Sequence, residues 1–354
     1  MRLQFQFLET VNGLDNSNLQ IIPRIRQQLG EATTAPGMVM ISLSAVALGA
    51  AFGGYLPLIS LWMETFNISF QKIGIVCGAS AVGVVSSAYY APKLAARYGY
   101  ITTINVGLVV AAIMTVAFRF TDNYGLWLAL RFVSGLGLGL HWVLTEAWLA
   151  NIVTEKYRTR VMAIYATAIS IGFAVGPMVI WLFGALSIIP FIIMGALLIL
   201  AALPILRLKG HEPKDSQTRS ASPLILIKKA PTVASACIVV GSVDLALISL
   251  LPAMITRTPE AAPILALIIV PAMAIGATIL QYPIAIIADK HGLRKVGVIT
   301  VCAGLIFASL IPFFLGSVLI TLLLGFFAAG LVYALYSIGL AMLSRRFSGA
   351  EIVA

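Results

Sequence analysis

The chain has 354 residues, of which 60% are apolar and only 10% are charged, and its mean hydropathy is +1.01. A soluble domain averages roughly 45–50% apolar and about 25% charged residues. The composition therefore excludes an ordinary soluble protein and favours helices in a lipid bilayer, because continuous apolar runs of about 20 residues fit spanning helices better than barrel strands. The formal charge of +10 falls in short loops between these runs, which argues against a nucleic-acid partner.

A polar stretch precedes the first apolar run. Residues 1–36 show no basic start followed by an apolar core and a cleavage site, so we expect a cytoplasmic tail without a cleaved signal peptide. A start codon assigned too far upstream of Met38 is the alternative. Ten membrane-spanning helices of an all-α membrane protein are then predicted at about 37–61, 71–94, 101–119, 125–149, 160–183, 186–206, 231–255, 263–288, 296–315 and 317–343.

Lysine and arginine are distributed unevenly between the two sets of loops. One set holds nearly all of them, whereas the opposite set holds only Lys72, Arg119 and Arg257. The positive-inside rule therefore predicts a multi-pass protein of the cytoplasmic (inner) membrane with both termini in the cytoplasm. Tryptophans at the predicted outer ends are expected to be interfacial anchors: Trp62, Trp127 and Trp181. Cysteines inside apolar runs are expected to be buried packing residues: Cys77, Cys237 and Cys302.

The longest predicted internal loop, 207–230, divides the chain unequally. Gly99 follows the second span and Gly292 follows the eighth, 193 residues later, and the same offset relates the starts of spans one and seven and of spans four and ten. We therefore expect a parallel repeat, with a six-helix bundle at 37–206, a basic cytoplasmic linker at 207–230 and an incomplete four-helix bundle at 231–354. The offset takes Arg160, near the start of span five, to position 353, where an eleventh span would begin.

Short motifs occupy matching places in this repeat. The loop after span eight carries Asp289, Lys290, Gly292, Arg294 and Lys295, and the loop after span two keeps only Arg97 and Gly99. Spans four and five carry an Arg-x-x-x-Gly and a Gly-x-x-x-Gly-Pro element at Arg131 and Gly135 and at Gly172, Gly176 and Pro177. At these places the sequence resembles the major facilitator superfamily, in particular its YcaD-type bacterial permeases.

The resemblance implies a twelve-span, monomeric secondary transporter that moves a small solute by alternating access. It implies a central cavity lined by spans one, four, seven and ten, to which tyrosines could contribute: Tyr55, Tyr333 and Tyr336. Gln281 on span eight is a comparable candidate, and aromatic packing is the alternative for the tyrosines. The basic motifs imply a cytoplasmic gate formed by Arg97, Gly99, Asp289, Lys290, Gly292 and Arg294. The Gly-Pro element of span five favours export by proton antiport.

Two charged residues fall well inside predicted spans, where an unpaired charge is costly unless it faces water or a partner. Asp244, near the middle of span seven, could take and release a proton or could be a neutral, hydrogen-bonded structural acid. Arg131, about two turns into span four, could neutralise an anionic substrate or hold a proton-coupling acid. The alternative for Arg131 is a side chain that snorkels to the outer headgroups.

Span four carries two further polar side chains. Glu146 lies about 22 Å beyond Arg131 along the helix axis and on the same broad face, near the cytoplasmic end. There it could pair with Arg97 or Arg160 in the inner gate, contact substrate or protons, or be a surface acid. His141 could relay protons or be a packed, hydrogen-bonded histidine.

The glycines of span five need no chemistry. Gly172 and Gly176 could simply allow close helix packing. Alternatively, together with the bend at Pro177, they could let span five rock against span eight.

Catalytic and cofactor motifs are missing: the sequence has no His-Glu-x-x-His, Gly-x-Ser-x-Gly, phosphate-loop or dinucleotide pattern. We expect no enzyme activity, no cofactor and no metal. The sequence favours a secondary transporter in which proton movement through Asp244, with help from Arg131, drives a small solute. The alternative is a shortened membrane protein that does not transport, either a gene remnant or a scaffold.

Overall fold

Helices account for almost all of the described chain. The computed structural model describes residues 36–152, 155–213 and 231–346, with no strand in these ranges. The α-helices are α1 Pro36–Glu64, α2 Phe70–Tyr98, α3 Tyr100–Ala117, α4 Tyr124–Ile152, α5 Glu155–Phe183, α6 Ile189–Leu206, α7 Pro231–Arg257, α8 Leu265–His291, α9 Leu293–Leu310 and α10 Val318–Arg346. All of them are long and apolar enough to cross a membrane, which confirms the expected all-α membrane fold.

Several expectations concern parts of the chain outside the described residues. These parts are the tail 1–35, residues 214–230 of the linker, and the segment 347–354. The side chains of Arg160, Asp289 and Tyr336 also lie outside the description. The division into six-helix and four-helix bundles therefore stays a prediction, as do the roles of these three residues.

The helix bounds follow the same offset of 193 residues as the sequence repeat. That offset takes α3, Tyr100–Ala117, onto α9, Leu293–Leu310, and takes the last residue of α2 onto the last residue of α8. Gly99 and Gly292 stand at the two equivalent turns with φ of 84° and 99°. Residues other than glycine rarely adopt such angles, so the repeated glycine is explained by a repeated backbone turn.

Helix packing places α1 and α7 side by side at the centre of the described structure. Helix α1 packs on α5, α6 and α7, while α4 packs on α2 and α3 and α10 packs on α7, α8 and α9. The first six helices meet the last four through the α1–α7, α2–α7 and α5–α8 contacts. We call the end where α1 begins the inner end and the end where α1 finishes the outer end.

The apolar core is shared between these two groups of helices only in its outer and middle parts. One cluster there joins Leu56 of α1 to Ile248 and Leu251 of α7 and to residues of α8 and α10. Towards the inner end, the clusters among the described residues each draw on one group alone, either α1–α6 or α7–α10. The described helices are therefore joined by a shared core at the outer end and carry separate cores at the inner end.

Two glycines bring the backbones of α1 and α5 into direct contact. A methyl group on Gly172 would overlap the carbonyl oxygen of Val46, and one on Gly176 would overlap the carbonyl oxygen of Ala50. Small residues at this spacing let helices approach closely in lipid, where packing rather than the hydrophobic effect holds helices together. The close-packing role expected for these glycines is thus directed at α1, the helix with which α5 has its most extensive contact.

Two expectations about buried and interfacial residues are wrong in part. Cys77 is buried as expected, but Cys237 and Cys302 are exposed on the helix surfaces, because apolar runs in a membrane protein face lipid as often as they face the core. Trp62 and Trp127 are buried in an aromatic cluster at the outer end rather than anchored at the interface. Trp181, in contrast, is 55% exposed, as an anchor should be.

We expect Gly172→Ala to lower the thermal unfolding temperature in detergent, because the added methyl group forces two backbones apart. Overpacking of this kind costs about 1–3 kcal/mol. The matched control is Gly241→Ala on α7, where nothing lies within 4 Å of the new methyl group. There alanine gains helix propensity, so the unfolding temperature should stay constant or rise. Equal effects of the two substitutions would contradict the α1–α5 contact.

Candidate functional site

Arg131 lies at the centre of a polar cluster in the outer third of the structure. Its side chain is fully buried, and its guanidinium stacks over the Tyr55 ring of α1 at 4.9 Å from the ring centre. The Cys77 thiol of α2 lies within reach of the Arg131 charge and beside the Ser249 hydroxyl of α7. Four helices from both groups thus converge on one arginine.

This arginine has no hydrogen-bond partner among the described residues. All three guanidinium nitrogens are buried without a partner, and so is the hydroxyl of Tyr55. Full burial excludes the snorkelling alternative, because the side chain does not reach the outer surface. A permanent positive charge held this way is able to receive an anion or a migrating carboxylate.

An ion pair closes the outer end between α1 and α7. Arg257, the last residue of α7, donates to a carboxylate oxygen of Glu64, the last residue of α1. Arg257 also donates to the Ile68 carbonyl and stacks over the Phe70 ring at 4.2 Å. Glu64 and Arg257 are 193 residues apart, so they occupy equivalent positions in the two repeats. The contact ties the two groups together at pseudo-symmetric points.

Asp244 lies half-way along α7, on a stripe that faces the protein. Val240, one turn before it, and Ile248, one turn after it, are both buried, and residues four apart on a helix share a face. Asp244 itself is half-buried and forms no hydrogen bond or ion pair with the described residues. Its carboxyl group thus lies inside the protein boundary and not on the lipid-facing surface.

Glu146 is held by its own helix. The Trp142 indole N–H donates to a Glu146 carboxylate oxygen at 2.7 Å, and both side chains are half-buried. Trp142 meets the Phe52 ring of α1 edge-on at 6.3 Å between centroids, and Phe52 meets the Phe173 ring of α5 at 5.4 Å. We call these four residues, Phe52, Trp142, Glu146 and Phe173, the aromatic–carboxylate cluster.

The described structure does not bring Glu146 and Arg97 together. Arg97 is exposed at the end of α2, with its guanidinium over the ring of the adjacent Tyr98 at 5.2 Å. The pairing with Arg97 is therefore wrong in this conformation, because the Trp142 N–H satisfies the acid one turn away. Pairing with Arg160 stays a prediction, since the Arg160 side chain is outside the described residues.

His141 belongs to a separate buried network. The Ser44 hydroxyl lies 2.8 Å from His141 Nε2 and donates to the Ala201 carbonyl at 2.6 Å. One turn further along α4, Thr145 lies 3.0 Å from the Tyr165 hydroxyl. This geometry joins α1, α4, α5 and α6 and agrees with a packed, hydrogen-bonded histidine.

The remaining candidates lie apart from these clusters. Tyr333 packs beside Val240 in the inner core of α7 and α10, and Gln281 is half-buried on α8. Lys290 and Arg294 are exposed at the inner turn around Gly292. At the equivalent turn of the first repeat, a Glu212 carboxylate oxygen accepts the Tyr100 backbone N–H at 3.1 Å. No group of three metal-ligating side chains occurs among the described residues.

Sequence reasoning missed the outer ion pair and the aromatic partners of Glu146. The signal for the first was present, because the repeat offset applied to Glu64 leads directly to Arg257. No comparable signal marked Phe52 or Phe173, whose proximity to Trp142 depends on how three helices cross.

Ten apolar helices in a parallel repeat, with ionisable side chains on interior helix faces, define a polytopic membrane protein. Residues 41–352 match the family model described as Major Facilitator Superfamily. The chain therefore belongs to the Major Facilitator Superfamily of transporters, and the expected resemblance is confirmed.

Two curated relatives carry the same family description. The uncharacterized MFS-type transporter YfkF of Bacillus subtilis (strain 168) is 26% identical over 273 residues, covering 75% of this chain and 68% of that protein. The uncharacterized MFS-type transporter YcaD of Salmonella enteritidis PT4 is 23% identical over 261 residues, covering 72% of this chain and 65% of that protein. The match thus spans about two thirds of the length of these relatives.

Solved structures support the fold. A nucleoside transporter, NupG, gives a TM-score of 0.65 at 15% identity, covering 90% of this chain and 84% of that one. A bacterial homolog of the human lysosomal transporter Spinster, in an inward-facing and unoccupied conformation, gives a TM-score of 0.70 at 16% identity, covering 89% and 76%. At these identities the likeness concerns the fold alone.

We expect Arg131→Met to raise the thermal unfolding temperature of the purified protein. Replacing a buried ion pair by apolar side chains is neutral or stabilising by about 1–4 kcal/mol, and a buried charge without a partner recovers even less of its desolvation cost. Tyr55→Phe is the control: it keeps the ring under the guanidinium and removes only an unpartnered hydroxyl, so it should change little. Unfolding followed by tryptophan fluorescence in detergent measures both. A clear loss of stability in Arg131→Met would mean that the guanidinium is paired.

Proposed function

We propose that the protein is a secondary active transporter that moves a small solute across the cytoplasmic membrane by alternating access, in exchange for protons. Asp244 is the observation that carries the proposal. A carboxyl group at mid-membrane depth with no partner among the described residues is stable when it is protonated or hydrated. It can therefore exchange a proton with whichever side of the membrane it is open to. Mid-membrane acids of this kind mark proton pathways in transporters.

Alternating access needs one end closed while the other is open. The shared outer core and the Glu64–Arg257 ion pair support a state closed at the outer end, whereas the inner cores of the two groups are separate among the described residues. In this state Asp244 would exchange its proton with the cytoplasm. Breaking the outer contacts while the inner loops close would turn the same group outward.

The outer ion pair is suited to repeated breaking. Its side chains are 34% exposed at Arg257 and 16% exposed at Glu64, and ion pairs with this degree of exposure contribute only about 0–1 kcal/mol. Closure at the inner end would use the basic turns that carry Arg97, Lys290 and Arg294. Orientation with these turns in the cytoplasm follows from the positive-inside rule, and the Gly-Pro element at Gly176 and Pro177 favours export. We propose that the transporter works as a monomer.

We expect Asp244→Asn to abolish proton-coupled transport. The assay uses inverted membrane vesicles acidified by respiration and a fluorescent pH dye, to which sugars, nucleosides, amino acids and organic ions are added in turn. A transported solute discharges the gradient in vesicles with the parent protein. Asparagine cannot carry a proton, so the discharge should be lost.

The control for this substitution is Asp122→Asn, which removes an exposed acid from the outer loop and should behave as the parent. An Asp244→Asn variant that still discharges the gradient would contradict the proton-coupling role. Failure of every solute to discharge the gradient, relative to vesicles without the protein, would contradict transport itself.

We expect neutralising the outer ion pair to open the outer end. The buried Cys77 thiol reports this opening in a variant whose exposed cysteines are replaced, Cys237→Ser with Cys302→Ser. A membrane-impermeant maleimide added to spheroplasts should leave Cys77 unlabelled in this background and label it at least several-fold faster after Glu64→Gln or Arg257→Gln.

The matched control is Lys72→Gln, which removes another outer cation that lies only over the Tyr124 ring. Lys72→Gln should leave Cys77 protected. Unchanged labelling in both Glu64→Gln and Arg257→Gln would show that the ion pair does not hold the outer end closed.

A further inference from the structure

The aromatic–carboxylate cluster has the composition of a binding site for a positive organic group. Three rings from three helices, those of Phe52, Trp142 and Phe173, meet at angles of 71–80° and leave edges and faces in different directions. One carboxylate, Glu146, is fixed beside them by the Trp142 N–H at 2.7 Å. Ring faces and a carboxylate are the two protein groups that attract an organic cation.

The cluster differs from ordinary core packing in its exposure. Leu138, Leu144 and Trp148 on the same helix are buried almost completely, whereas Phe52, Trp142, Glu146 and Phe173 are all half-buried. Aromatic rings that serve only as core filling would be enclosed as fully as Trp148. These four side chains therefore keep part of their surface accessible to a second molecule.

Glu146 lacks a cation of its own. It forms no ion pair with the described residues, and its one described hydrogen bond comes from a neutral indole. A carboxylate at this depth needs a proton or a positive partner. The negative charge of Glu146 therefore has no positive partner among the described side chains.

Asp244 places a second acid near the same surface. Phe52 and Phe173 pack against the apolar cluster that contains Ile248 of α7, and Asp244 lies one turn before Ile248 on the same helix face. The two interior acids therefore lie on helices of different groups, Glu146 on α4 and Asp244 on α7.

The placement of Arg131 is compatible with a cation at the cluster. Arg131 is 11 residues from Trp142 along α4, which corresponds to about 16 Å towards the outer end. A positive ligand that enters from the inner end meets Glu146 and the rings before it approaches Arg131. An anion would meet the Glu146 carboxylate first, which repels it.

We propose that the solute is a hydrophobic organic cation, with its positive centre bound by the aromatic–carboxylate cluster at Glu146. This inference rests on the proposed transport function and assigns its substrate class. Binding of the cation and binding of a proton compete for the Glu146 carboxylate. Each arriving positive charge therefore releases a carboxyl proton to water, so one charge replaces another and the exchange is balanced.

Two probes of the same shape and opposite charge test the proposal. Tetraphenylphosphonium and tetraphenylborate both carry four phenyl rings, so the comparison isolates charge. Binding of each radiolabelled ion to the full chain in nanodiscs, corrected with empty nanodiscs, should be saturable for the phosphonium ion and not for the borate. In lightly buffered solution, a pH dye should record proton release that saturates together with phosphonium binding.

Substitutions in the cluster should weaken phosphonium binding in proportion to the contact that they remove. Glu146→Gln should cost roughly tenfold or more in Kd and remove the proton release, while Phe52→Leu should cost a few-fold, the range of one cation–ring contact. The controls are Glu260→Gln in an outer loop and Phe313→Leu at an exposed outer position, which should bind as the parent does. If Glu146→Gln does not fold, as judged by gel filtration and helicity, binding of the two probes to Phe52→Leu tests the proposal instead.

Equal binding of both probes, no saturable phosphonium binding, or unchanged affinity in the cluster variants would overturn the proposal. These outcomes are distinct from a failure of the transport function. A protein that binds phosphonium with proton release but discharges no gradient would contradict transport and leave the binding site intact. A protein that transports another solute without binding phosphonium would contradict the substrate class alone.

Discussion

The cost of an ionised side chain in hydrocarbon constrains the whole structure. Inside the spans, Arg131, Glu146 and Asp244 all lie on interior faces of their helices, and the outward surfaces of α2, α3 and α9 carry aliphatic side chains instead. Each interior charge must find water, a proton, a ring face or a ligand. The Tyr55 ring stacked on Arg131 and the Trp142 indole bonded to Glu146 partly meet that requirement. The candidate functional groups of the protein are therefore the same groups that are hardest to place in lipid.

The parallel repeat relates the two groups of helices to each other. Helices α1 and α7 are equivalent in the repeat and run side by side, and the ends of the two helices are joined by the Glu64–Arg257 contact. Because equivalent residues meet there, a rotation of one group against the other separates them directly. The interior acids are divided between the groups in the same way, Glu146 on α4 and Asp244 on α7.

Sequence patterns predicted the fold closely and the site incompletely. Hydropathy and glycine placement gave ten helices and a repeat whose turns recur at Gly99 and Gly292, because both signals are local in the chain. The sequence predicted Arg97 or Arg160 as the partner of Glu146, since an acid near a helix end commonly pairs with a basic side chain. The Trp142 N–H lies one turn away on the same face and takes that role instead. Contacts such as Arg131 over Tyr55 depend on helix crossing angles, which a single sequence does not encode in any visible pattern.

The touching backbones of α1 and α5 carry a mechanical consequence. At Gly172 and Gly176 the backbone of α5 lies directly against the carbonyl oxygens of Val46 and Ala50, with no side chain between them. Sliding or rotating one helix against the other would therefore bring main-chain atoms into collision. Helices α1 and α5 must therefore move together as one rigid unit. Any movement between groups of helices must therefore take place at contacts other than the one between α1 and α5.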